Sequence, residues 1–142
     1  MPRMIFVNLP VENLDRSVAF YEAIGCTRDP RFSNDRAAMM VWSEAISFML
    51  LTHGFYQGFT SKPIADARAT SQMLLALSCD SRAEVDAIMQ AALDAGGREH
   101  HPAEDLGFMY SCAFEDPDGH GFGPMWMDVE AALSAMPRQD AA

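Results

Sequence analysis

The chain reads as an α+β domain. Two tandem β-α-β-β-β modules are expected to form a cupped, open barrel-like mixed sheet with the helices outside. Three observations lead there. The stretch Ser111–Asp128 (SCAFEDPDGHGFGPMWMD) sets turn residues between two apolar runs, the mark of a β-hairpin. The order strand, capped helix, glycine stop and three strands occurs twice, with VNLPVENLDRS in the first half matching LALSCDSRAEV in the second. An apolar content of 49% in 142 residues suffices for one compact core. Each four-stranded half keeps one face that tolerates polar side chains, so pairing the halves encloses a cavity.

Module one spans about residues 4–52. Met4–Val11 (MIFVNLPV) is a β-rich run, in which Pro10 suits an edge strand or a strand end. Asn13 is placed to N-cap a helix running through about Ile24, because Leu14, Val18, Tyr21 and Ile24 fall on one helical face and Gly25 stops it. Three strands follow, Arg28–Phe32, Ala37–Trp42 and Ile46–Leu51, separated by polar turns at Ser33-Asn34-Asp35 and Ser43-Glu44. A crossover loop over 53–71, with room for one helical turn, carries His53, Phe55, Tyr56, Phe59 and Pro63. A connection of that length usually covers something, either a cavity or a partner subunit.

Module two spans about residues 72–128. Met73–Cys79 is a strand, and Ser81 N-caps a helix through Ala95 whose core stripe is Val85, Ile88, Met89, Ala92 and Leu93. Gly96-Gly97 ends it. Strands near Arg98–Pro102, Met109–Glu115 and Gly121–Met127 complete the unit. In the last turn Pro117 presets φ, Asp116 can cap through its carboxylate, and Gly119 supplies a positive φ. The tail 129–142 is expected to hold a short helix at Val129–Met136 and then to fray.

Charge and composition exclude several functions. A net charge of −10 argues against nucleic acid or an anionic membrane, which require clustered Lys and Arg. No run is long enough to span a membrane, and the N-terminus lacks a basic-then-apolar leader. Cys26, Cys79 and Cys112 are few, odd in number and widely spaced, as expected for buried thiols of a cytoplasmic protein. No P-loop, GxSxG or GxGxxG motif occurs. Cys112 has no basic neighbour to activate it, so packing is its expected role, as turn capping is for Asp116 and Asp118. Eleven methionines, some beside Trp42 and Trp126, suit either core packing or the wall of an adaptable cavity.

A strand, DPDG plus one residue, and a second strand resembles the last hairpin of the glyoxalase / bleomycin-resistance / extradiol-dioxygenase superfamily, the vicinal oxygen chelate fold. The resemblance covers about residues 4–128 and lies nearest its predicted-lactoylglutathione-lyase-like branch. Metal-dependent members place a His in the first strand, a Glu or similar in the fourth, a His opening the second module and a Glu in the last strand. Setting this chain against those patterns puts Phe6, Leu50, Leu74 and Gly123 in the four places. None of these can hold a hard or borderline cation, so no metal and no cofactor is expected. Adjacent His100 and His101 cannot easily share an ion across a strand, and His53 and His120 stand apart.

Residues two apart on a strand share a face. On that rule the slots direct Phe6 and Asn8, Phe48, Leu50 and Thr52, Gln72 and Leu74, and Gly123 and Met125 inward, joined by the set Tyr110, Cys112 and Phe114. The ligand-binding candidates are therefore Phe6, Asn8, Phe48, Leu50, Thr52, Gln72, Leu74, Tyr110, Gly123 and Met125; no catalytic residue is assigned. Asn8 is the leading polar handle, although a satisfied buried amide accounts for it equally well. The expectation is a cytoplasmic, homodimeric protein that binds a small apolar or aromatic molecule without the family metal. The alternatives are a metal-dependent enzyme, either a lactoylglutathione-lyase-like isomerase or an extradiol-dioxygenase-like oxygenase, and a structural module that fills its own cavity.

Overall fold

The computed structural model describes residues 2–136, so the expected frayed tail lies outside the described residues. Its elements are β1 (Ile5–Val11), α1 (Leu14–Ala23), β2 (Thr27–Asp29), β3 (Ala37–Val41), β4 (Ile46–Thr52), α2 (His53–Tyr56), β5 (Leu74–Ser78), α3 (Arg82–Asp94), β6 (Arg98–Asp105), β7 (Met109–Glu115), β8 (Gly121–Met127) and α4 (Val129–Ala135). The helices start where short polar side chains can accept from the first free N–H groups. Asn13 Oδ1 accepts from Arg16 N at 3.0 Å, and Ser81 Oγ from Glu84 N at 3.1 Å. Gly25 and Gly96, at φ +119° and +100°, turn the chain off α1 and α3.

The strands form two four-stranded sheets, ordered β1-β4-β3-β2 and β5-β8-β7-β6. In each, the first and last strands of the module pair in parallel and the others antiparallel. The two sheets are not hydrogen-bonded to one another, so the architecture is open rather than a closed barrel. β1 is an edge strand, which accommodates Pro10.

One aromatic core joins the modules. Tyr21 of α1 lies 5.7 Å from Phe48 of β4 and 5.8 Å from Phe122 of β8, ring centre to ring centre. Phe48 and Phe122 meet edge to face at 5.5 Å, and Phe114 stacks on Phe122 at 5.4 Å. These contacts lie on the helix-facing side of the sheets. The opposite side, here termed the cup face, carries the alternate residues.

Two element boundaries differ from the sequence reading by more than one residue. β2 ends at Asp29, because Pro30 opens a 3₁₀ turn over Pro30–Phe32 in which Asp29 Oδ1 accepts from Arg31 N at 3.0 Å. β6 continues past Pro102 to Asp105: it is the outer strand of its sheet, where a missing N–H is tolerated, and its register shifts twice along β7.

The expected facing of two strands also changes. Parallel pairing sets Asn8 beside Met49 and Phe6 beside Ser47, so the cup face of β4 carries Ser47, Met49 and Leu51. Phe48 and Leu50, at 1% and 0% exposure, point into the helix-side core. Thr52 shares their parity, and its hydroxyl accepts from Phe55 N at 3.4 Å at the start of α2. On β7, Ser111 and Glu115 pair with Met125 and Gly121 on the cup face. Cys112 and Phe114 are buried in the core, and Tyr110 donates to Asp86 Oδ1 of α3 at 2.7 Å. Burial against the helices takes the larger apolar set of each strand, which overrides the facing expected from the family slots.

Candidate functional site

The site is assembled around the β7–β8 turn. Asp116 is 2% exposed and Asp118 is buried beside it. Oδ1 of Asp116 accepts from Asp118 N at 2.9 Å and His120 N at 2.8 Å, which is the expected turn cap. Its Oδ2 accepts from the Tyr21 hydroxyl at 2.7 Å. Asp118 reaches the start of α1, accepting from Glu12 N at 2.8 Å and Ser17 Oγ at 3.3 Å, with Arg16 Nη2 3.8 Å away. Burial, which disfavours the ionised form, raises the Asp116 carboxyl above the ordinary range, and nearby His120 acts against that. Burial, reinforced by Asp116, pushes the Tyr21 hydroxyl well above its usual value. The two carboxylates therefore serve to join the modules.

The same turn holds the crossover segment. Arg68 Nη2 donates to Pro117 O at 2.7 Å and lies 3.5 Å from Glu12 Oε2. Gly119 has φ +95°, and a Cβ there would stand 2.6 Å from Arg68 N and 2.7 Å from Ala67 C. Only glycine lets the two backbones approach this closely. Gln57 Nε2, donating to Thr60 O at 3.0 Å and Lys62 O at 2.8 Å, and Asp66 Oδ1, accepting from Arg68 N at 3.0 Å, fold the segment upon itself.

Beneath this segment is a cavity of about 560 Å³. It opens at the edges of β1 and β5 that neither sheet pairs, and is roofed by Tyr56 and much of residues 60–71. Its apolar wall includes Pro10, Pro63, Ile64 and Leu75. Its polar groups include Asn8, Lys62, Arg68, Gln72, His100, Glu115 and His120. His120 Nε2 is 2.8 Å from Pro10 O and bridges the β7–β8 turn to β1. His100 Nδ1 is 3.3 Å from Glu115 Oε1.

Of the ligand-binding candidates read from the sequence, Asn8, Gln72 and Leu74 come together in this cavity. Phe6, 47% exposed, and Gly123 and Met125 lie on the cup face outside its lining. Phe48, Leu50 and Tyr110 are directed to the helix side, and Thr52 borders a separate open depression with Arg36 and Phe55. Sequence reasoning missed the pairing of His100 with Glu115. The bulges in β6 bring His100 to the cup-facing Glu115, and no periodicity in the sequence announces them.

Three of the four slots of the metal-dependent pattern, Phe6, Leu74 and Gly123, do lie on the cup face. The fourth is displaced, since Leu50 is in the core and its cup-facing neighbours are Met49 and Leu51. Phenyl, alkyl and thioether side chains and a glycine do not fit a cation that seeks nitrogen and oxygen. Among the described residues no three His, Cys, Asp or Glu side chains converge. Cys112 is held by burial at about 11, far from a reactive thiolate at neutral pH.

Comparison with known proteins agrees with this architecture. The profile of the Glyoxalase/Bleomycin resistance protein/Dioxygenase superfamily matches residues 3–123, and the chain belongs to that superfamily. Among solved structures it is similar to hypothetical protein SA1046 from S. aureus, at 21% identity and TM-score 0.75, covering 89% of this chain and 94% of that one. A glyoxalase-related enzyme from Fulvimarina pelagi is similar at 21% identity and TM-score 0.75, covering 89% and 88%. The fosfomycin resistance protein FosX from Mesorhizobium loti is similar at 16% identity and TM-score 0.65, covering 94% and 96%. At these identities the likeness is one of fold. No curated protein sequence matches the chain.

Proposed function

We propose that this chain binds a small molecule with a largely apolar body in the cavity beneath the crossover segment, without the metal used by metal-dependent members of its superfamily. It acts by sequestering or sensing that molecule. The observation carrying this reading is the side-chain chemistry at the inherited ligand places, Phe6, Leu74 and Gly123 with Met49 and Leu51 on β4, beside a cavity of about 560 Å³. That volume is in the range of small-molecule sites and speaks against a cavity filled by the chain itself. Asn8, Gln72 and Leu74 contact the ligand, and Phe6, Gly123 and Met125 extend the surface beyond it. Three buried, unpaired cysteines support a reducing, cytoplasmic setting. Exposed Ile5, Phe6, Met73 and Leu74 along β1 and β5 support a homodimer.

The test combines elemental analysis with ligand titration on tag-free protein purified without added metal. Transition metal well below one equivalent, with saturable binding of 1-naphthylmethanol at one per chain, is the expected result. A stoichiometric metal that this chain's side chains retain would instead establish the metal-dependent isomerase or oxygenase reading. Metal-free protein that gives no saturable binding would leave a structural module.

A further inference from the structure

The cavity's hydrogen-bonding groups are unevenly distributed. On the roof stand two cations, Lys62 and Arg68. Arg68 is occupied, since its Nη2 donates to Pro117 O and faces Glu12. On the floor stand acceptors. Glu115 of β7 is cup-facing and partly buried, with a side chain 20% exposed. His100 Nδ1, 3.3 Å from Oε1, is the one nitrogen of a basic side chain within 4.0 Å of its carboxylate among the described residues, and Oε2 has no partner there. Arg98 is the register partner of Glu115 on β6, yet forms no ion pair with it. Asn8 donates only at 3.5 Å, to Phe6 O, which leaves its amide oxygen available. His120 directs Nε2 at Pro10 O and so donates nothing from that atom to a ligand. Next to Glu115, Gly121 supplies no side chain to cover the carboxylate.

A half-buried carboxylate with a free oxygen attracts a donor more strongly than an exposed one, because water screens it less. A carboxylate or phosphate placed in that corner would meet Glu115 with like charge, and the cavity's other cation, Lys62, stands on the roof and not in the corner. We propose that the Glu115–His100 corner anchors the ligand, whose head group is a hydrogen-bond donor, a primary amine or amidine on an apolar body, and not an anion. The apolar body lies against Leu74, Leu75 and Ile64. This inference rests on the reading of the cavity as a ligand site and adds the class of ligand.

Three probes of one shape test it: 1-naphthylmethylamine, 1-naphthylmethanol and 1-naphthoate, titrated at pH 8, where an ordinary imidazole is neutral and a primary amine charged. The amine is expected to bind about tenfold more tightly than the alcohol, a difference of about 1.4 kcal/mol, with the naphthoate weakest. Glu115→Gln should remove the tenfold advantage, because a charged donor loses more than a neutral one when the carboxylate becomes an amide, so the amine's affinity falls several-fold further than the alcohol's. Naphthoate binding as well as the amine would overturn the proposal, as would an equal loss of amine and alcohol on substitution. The ranking in the unsubstituted protein decides the matter even if the variant does not fold. Alcohol binding with no amine advantage sinks this inference and leaves the ligand-site reading standing; binding of none of the three sinks both.

Discussion

The two modules each close with a hairpin turn, and the two turns do different things. Between β3 and β4 the turn is exposed and bonded within its own module: Ser43 Oγ accepts from Ala45 N and Ile46 N at 3.3 and 3.2 Å, Ala45 O accepts from Ile5 N of β1 at 2.7 Å, and among the described residues none of its hydrogen bonds reaches module two. Between β7 and β8 the turn is buried, and its carboxylates, glycine and proline carbonyl reach α1 and the crossover segment. Equivalent positions in a repeated unit thus split into a local closure and a joint. The joint stands at the cavity's rim, so the cavity's shape depends on the second turn and little on the first.

Breaking the joint is expected to have the largest effect. Asp116→Ala removes the acceptor of the Tyr21 hydroxyl and of two backbone N–H groups in a buried place, and should cost about 3 kcal/mol or more. Ser43→Ala in the other turn exposes its donors to water and should cost less than about 1 kcal/mol. Denaturant midpoints of the two variants check the contrast, and equal losses would refute it. Next in size, Gly119→Ala meets both a positive φ and a backbone 2.6 Å away, and should cost about 2–3 kcal/mol. It should also weaken 1-naphthylmethanol binding, since the crossover segment must shift. Gly123→Ala, on the same hairpin but with its nearest neighbour 3.5 Å away, should be neutral or stabilising by about 0.5 kcal/mol.

The smallest effect distinguishes the joint's charge from its geometry. Because burial raises the Asp116 carboxyl above the ordinary aspartate range, its contribution is complete below that range and is lost as pH rises through the raised folded pKa. Asp116→Asn can still accept from both backbone N–H groups and carries no charge. Its stability should therefore fall less than that of wild type from the ordinary aspartate range toward neutrality. Parallel curves for the two proteins in denaturant titrations across that interval would show that the carboxyl is not strained by burial.

Caps, stops and turns were legible in the sequence because they depend on neighbouring residues. Asn13, Ser81, Gly25, Gly96 and the Asp116–Gly119 turn act as local chemistry predicts. The facing of β4 was not legible, since Phe48-Met49-Leu50-Leu51 is apolar without alternation and both faces of the strand are substantially buried. On β7 the alternation is real, but which side meets α3 depends on long-range packing. For the site, the length of residues 53–71 signalled a cover for either a cavity or a partner; of its aromatics Tyr56 lines the cavity, while Phe55 and Phe59 border the separate depression. The corner formed by Glu115 and His100 depends on bulges in an edge strand that also carries Pro102, a geometry that pairwise sequence rules do not encode.

The joint also bears on how the chain is made. Its hydrogen bonds link residues 95, 101 and 106 positions apart, so the acceptors for Tyr21 and Ser17 are synthesised long after the helix that bears them. Until the final hairpin leaves the ribosome, the N-terminal half carries an open aromatic surface at Tyr21 and Phe48 with neither Asp116 nor Phe122 to close it. A repeated unit that looks capable of folding alone is in this protein a half whose buried partners are supplied by the other module.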